Sequence, residues 1–244
     1  MKTKSTYKYL QLLFTLILII LFFTYILDSI SYGLPFFVNT DESAFIGSSL
    51  SSFSFLTKHF EYNYNPLYAP LLNFVVILKS IFVNEMIVNG LDVGQIQLKI
   101  YFNPELFTFY GRVASLLITC ISIFILHLIF KKLKIDFRIY SILLITFITS
   151  SVIYNISTVF GKNSSYLLIY LIQLYFFIKY LLKLDKFNFY SYIIMALLAS
   201  IAWGVNYWPS FISIYGIFLL HYKKFKLTKI NNLLIFFIIF IIFG

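Results

Sequence analysis

Asp41 and Glu42 stand side by side in the stretch "FFVNTDESAFIGSS", residues 36–49, and form the one adjacent acidic pair among nine acidic residues. Two chemistries suit such a pair. A partly desolvated carboxylate at a water–membrane boundary has a raised pKa and can take a proton from a hydroxyl, as a general base must. It can also ligate a cation. The plainer role is helix capping, with Asp41 beside the positive end of a helix over about 43–58. Other reactive side chains are sparse. His127 lies near one end of an apolar run and His221 at a boundary, both positions that suit a structural or interfacial role, while His59 sits in a polar stretch. The single cysteine, Cys120, lies inside an apolar run. It leaves no internal disulfide and no thiolate metal site, and reads as a small buried hydrophobe. The sequence contains no glycine-rich phosphate loop, no Gly-x-Ser-x-Gly elbow and no His-Glu-x-x-His.

The elements that must hold these residues are set by composition. The 244 residues are 61% hydrophobic and only 11% charged, where a soluble domain is nearer half apolar and a quarter charged. The chain is therefore expected to be an all-α, polytopic transmembrane helical bundle. Its net charge of +10 does not point to nucleic acid. The basic residues flank apolar runs in small clusters instead of forming a stripe with interleaved base-reading residues.

Seven apolar segments can be read, at 10–27, 113–130, 139–154, 165–182, 189–205, 207–222 and 230–244. The first follows a basic start, is as long as a bilayer core requires, and has no cleavage site behind it, so it reads as a retained span. Fourteen of the nineteen Lys and Arg residues fall in Lys2/Lys4/Lys8 and three later clusters, "KKLKIDFR", "KYLLKLDK" and "HYKKFKLTK". If the N-terminus is cytoplasmic and seven spans alternate, all four groups lie inside, as the positive-inside rule asks. Only Lys58, Lys79, Lys99, Arg112 and Lys162 then lie outside. Residues 66–83, "PLYAPLLNFVVILKSIFV", cannot also cross without reversing that partition. They read as an interfacial or re-entrant helix in one large outer loop, residues 28–111. One transmembrane domain is expected over residues 1–244, and its last run stops without a polar flank, as the front part of a longer protein would.

This order of features resembles the C-type, polytopic glycosyltransferases, and most of all the branch of protein O-mannosyltransferases and bacterial aminoarabinose transferases. "T-D-E" at 40–42 stands where members carry "P-D-E" or "D-E" early in the first outer loop. "NPLYAPLLNFVVIL" at 65–78 resembles their "P-L-Y" interfacial segment, "YGRVASLLITCISIF" from Tyr110 their second span, and "ASIAWGVNYWPSF" from Ala199 a later hairpin. The resemblance implies transfer of a sugar from a polyprenyl-phosphate carrier to a lipid, glycan or protein acceptor at the outer face of a bacterial plasma membrane. In that reading Asp41 deprotonates the acceptor hydroxyl, and Glu42 assists or binds a divalent cation, the one cofactor implied. Arg112, Lys162 and Tyr68 bind the donor, the two cations facing its phosphate. Three departures stand out. Thr40 replaces the usual Pro, Asn206-Tyr207 replaces Thr-Lys, and the second outer loop offers Lys162 but no carboxylate. A transporter or lipid-carrier flippase is the alternative; it would show polar residues within its spans. A non-enzymatic scaffold would give Asp41 no role.

Overall fold

The computed structural model describes residues 3–30, 90, 95, 104–158, 162–184, 187–205, 207–225 and 230–243. Asp41, Glu42, Tyr68 and the expected interfacial helices lie outside them. Of the described residues, 93% are helical and none is in a strand. In chain order the helices are α1 (Thr3–Ser29), α2 (Pro104–Leu133), α3 (Phe137–Ile148), α4 (Ser151–Thr158), α5 (Lys162–Leu182), α6 (Phe189–Val205), α7 (Tyr207–Phe225) and α8 (Ile230–Phe243).

Every apolar segment is helical, but the segments are unequal as membrane spans. Tyr9–Ser29, Gly111–Leu133 and Asn163–Leu182 are long and apolar enough to cross, and α3 with α4 makes a fourth if that bent pair counts as one. Helices α6 and α8, of 17 and 14 residues, are roughly 26 and 21 Å long at 1.5 Å per residue, short of the ~30 Å hydrocarbon core. Among the described residues there are thus three to four candidate spans, where the apolar runs alone suggest seven.

Helix α1 departs from the burial pattern of a soluble protein. Helix α1 buries Gln11 and Thr15 together with Phe22 and Ile26, while Leu13, Ile20, Leu21 and Tyr25 are exposed. Apolar side chains outward and hydroxyls inward is what lipid selects, because polar groups there must be satisfied by neighbouring helices.

Local chemistry fixes the ends of the helices. Pro104 opens α2, where a missing N–H costs nothing. At the other end Ile135 N donates to Phe130 O over 3.3 Å, and Lys134 takes a φ of 55°, the arrangement of a left-handed C-terminal cap. Asp136 then caps α3, accepting from Arg138 N at 3.1 Å. Between α3 and α4 the axis bends by 52°. The sequence there is Thr149-Ser150-Ser151, and Ser150 Oγ accepts from Ile153 N at 3.3 Å, starting α4 afresh. Asn188 and Ser191 cap α6 reciprocally, Ser191 N donating to Asn188 Oδ1 and Asn188 N to Ser191 Oγ.

The chain divides into two compact units. The first comprises Met1–Leu18, Ile121–Phe147 and Tyr166–Gly244. Here α1 and α2 run antiparallel: Gln11 Nε2 donates to Ile135 O, and one turn on, Thr15 meets His127. Helix α6 packs against both α7 and α8, presenting a face of Ala196, Ala199 and Ala202 with no exposed area. Small side chains let helix backbones approach closely. Phe187, Tyr192, Met195 and Phe236 fill the space around that face. Gly216 gives α7 the same closeness to α5, since a Cβ there would lie 2.8 Å from the Phe177 ring. The second unit comprises Ile19–Cys120 and Ile148–Ser165. In it the last turns of α1 meet both α2 and α4, through Arg112 with Ile30 and through the rings of Tyr25 and Tyr154, 6.4 Å apart.

Candidate functional site

Of the catalytic and substrate-binding residues expected from the sequence, Arg112 is the one whose side chain is described. It lies two turns into α2 and is only 2% exposed. Its Nη1 donates to the Ile30 carbonyl over 2.8 Å. Ile30 directly follows α1, where the carbonyls at a helix end lack intrahelical partners, so the guanidinium caps that end and suits the negative end of the helix dipole. This bond joins residues 82 apart in sequence and ties the two helices from which the loop carrying Asp41-Glu42 departs and to which it returns.

Lys162 is the first residue of α5; its side chain lies outside the described residues, as do Asp41, Glu42, Tyr68 and His59. The first turn of a helix is the positive end of its dipole. Phosphate is attracted to such a place. Arg112 and Lys162 belong to the same unit, and Ser164 and Ser165 in the first turn of α5 are buried there.

Other buried polar groups are also brought together. On α2, Thr108, Arg112, Ser115, Thr119 and Ser122 are all buried and recur at three- and four-residue intervals, so they share one helix face. Thr119 returns its hydroxyl to the Ser115 carbonyl at 2.8 Å. In the first unit, His127 Nδ1 lies 2.7 Å from the Tyr140 hydroxyl and 3.1 Å from that of Thr15. Thr15 and Tyr140 also bond each other, and Thr15 donates to the Gln11 carbonyl at 2.8 Å. Among the described residues His127 Nε2 finds no hydrogen-bond partner. Phe130 and Phe137 pack against the Tyr140 ring, which makes a polar knot in an aromatic shell joining α1, α2 and α3. A second pair, Tyr192 and His221, joins α6 to α7 at 2.6 Å. The sequence signal for the α2 face was its spacing; the two Tyr–His pairs leave no local signal, since their partners are 13 and 29 residues apart.

Cys120 is buried. Among the described residues no three of His, Cys, Asp and Glu come together as a metal site, and the acidic pair proposed to hold a cation is not one of them. Compared with known proteins, the chain matches no family model, no curated protein and no solved structure.

Proposed function

We propose that this protein is an integral-membrane glycosyltransferase of the C-type, polytopic kind, with a cytoplasmic N-terminus and seven spans. It moves a sugar from a polyprenyl-phosphate carrier to an acceptor hydroxyl at the outer face. The acceptor oxygen forms a bond to the anomeric carbon as the bond from that carbon to the phosphate oxygen breaks. The hydroxyl proton passes to Asp41, with Glu42 assisting or holding a divalent cation. The leaving polyprenyl phosphate takes the electron pair and is stabilised by Arg112 and Lys162, while Tyr68 and the 66–83 segment contact the donor.

The observation that carries this reading is the burial of Arg112 at the base of the loop bearing the acidic pair. An ionised side chain inside a membrane protein is costly and is functional by default. Five donors in a fixed fork match a phosphate as well as a carbonyl. A lipid-linked donor also needs no nucleotide cradle, in keeping with a sequence that has none.

Asp41→Asn tests the reading. The amide keeps the size and capping ability of the carboxylate but takes up no proton at neutral pH. We expect transfer from a panel of polyprenyl-phosphate sugars, measured in membranes at matched expression, to fall by ~10²–10⁴-fold. Glu42→Gln should cost less. Wild-type transfer by Asp41→Asn would return the pair to helix capping.

The buried polar face of α2 favours one other reading, a transporter or lipid-carrier flippase. That reading predicts movement of the lipid carrier across the bilayer that survives Asp41→Asn.

A further inference from the structure

The ends of α2 and α5 enclose a cavity of about 700 Å³ whose lining includes Lys131, Lys132, Lys134, Lys179 and Lys183. The remaining lining is Tyr175 with the leucines 128, 133 and 182, and no acidic side chain is among them. Lysines at a helix C-terminus ordinarily complement the dipole. Here two helix ends supply about one negative charge between them, against five lysines, so roughly four positive charges are in excess. Lys179 is held by cation–π contacts to Phe176 and Tyr180, 5.0 and 5.4 Å from the ring centres. None of the other four lysines makes an ion pair among the described residues.

A second observation singles out Lys134. Its φ of 55° is a left-handed conformation that glycine adopts freely and a residue with a Cβ does not. A helix cap alone would be better served by glycine. Lysine there places an ammonium group on the cavity at the expense of backbone strain, and such strain gathers at ligand sites.

We propose that this cavity binds the headgroup of an anionic phospholipid. Both helices are long and apolar enough to cross a bilayer, and the cavity lies where their apolar stretch ends, at headgroup level. The lining is basic with leucines beside it, which suits a phosphate that continues into acyl chain; free phosphate would gain nothing from the leucines. Basic pockets between membrane helices recognise anionic lipids in this way, and the volume is that of a ligand site.

The test is native mass spectrometry of the full chain in detergent, titrated with phosphatidylglycerol, phosphatidylcholine or inorganic phosphate. One phosphatidylglycerol should be retained at least tenfold more tightly than phosphatidylcholine, and inorganic phosphate at millimolar concentration should not displace it. Each lysine near a membrane surface is worth about fivefold in affinity, so Lys131→Gln, Lys134→Gln and Lys183→Gln together should weaken retention by more than tenfold. The same three positions as arginine should restore it. Lys223, Lys226 and Lys229 changed to Gln should leave it unchanged. Lys134→Gly separates ligand binding from capping, because it should hold or raise the melting temperature while weakening retention severalfold. Equal retention of phosphatidylcholine, displacement by phosphate alone, an equal loss in the Lys223/Lys226/Lys229 variant, or unaltered retention in Lys134→Gly would each overturn the proposal.

Discussion

At the scale of single residues, Arg112 and Tyr140 carry the sharpest expectations. Arg112→Gln removes the charge and leaves an amide donor on a shorter side chain. If Arg112 stabilises a leaving phosphate, transfer should fall by ~10²–10³-fold, the usual cost of losing one such donor, while the protein remains inserted at wild-type levels. If the arginine only ends α1, transfer should be kept, and a matched-expression assay distinguishes the two. Tyr140→Phe removes one hydroxyl from the knot with Thr15 and His127 and leaves those two bonded to each other at 3.1 Å. Interhelical hydrogen bonds in membranes average ~0.6 kcal/mol and reach ~1.7, so the loss should lie in that range by denaturant unfolding in micelles. A loss several times larger would mean that the knot acts as a unit. Arg112 was legible in the sequence because a charge beside an apolar run is conspicuous. The tyrosines and histidines were not legible as pairs, because burial chooses their partners across helices and nothing local records that choice.

At the scale of elements, the sequence located the helices better than it measured them. Hydropathy marks residues 113–130, but α2 runs from Pro104 to Leu133, since a proline start and a left-handed stop are set by backbone chemistry and not by solvent. The run 139–154 looks continuous to hydropathy, yet it is broken at Thr149-Ser150, where a hydroxyl outcompetes the helical carbonyl for an amide. Ser150→Ala removes that cap and should destabilise the pair by ~0.5–2 kcal/mol; a melting temperature equal to wild type would show that the bend is imposed by packing alone. Gly216→Val probes the other kind of control. A side chain there meets the Phe177 ring at 2.8 Å, and overpacking of this sort costs ~1–3 kcal/mol, only partly offset by valine's better helix propensity. The variant should unfold at lower denaturant, and Phe177→Ala in the same chain should recover part of the loss.

For the whole molecule, composition alone was enough for an all-helical chain with several helices fit to cross a membrane. The number of crossings is the part that hydropathy alone does not fix, because an apolar run of 14 residues is helical whether it spans, packs or dips. Our topology places residues 28–111 outside. Cys120, buried in α2, should resist an impermeant thiol reagent in intact cells, whereas cysteines placed at Asn65 and at Asn89 should both react. Labelling at only one of the two would show that 66–83 crosses and that later basic clusters change sides.

The bond from Arg112 to Ile30 also has a consequence in time. It closes a loop of 82 residues, so the last turn of α1 is complete well before its capping guanidinium has been synthesised. At 5–20 residues per second the interval is about 4–16 s, long beside the microseconds in which a helix forms. Closing such a loop costs roughly 4 kcal/mol of chain entropy, more than one hydrogen bond returns. The nascent first helix must therefore wait in the bilayer with an uncapped end until α2 arrives to pack beside it, and the order of synthesis makes α2, not α1, the helix that completes the pair.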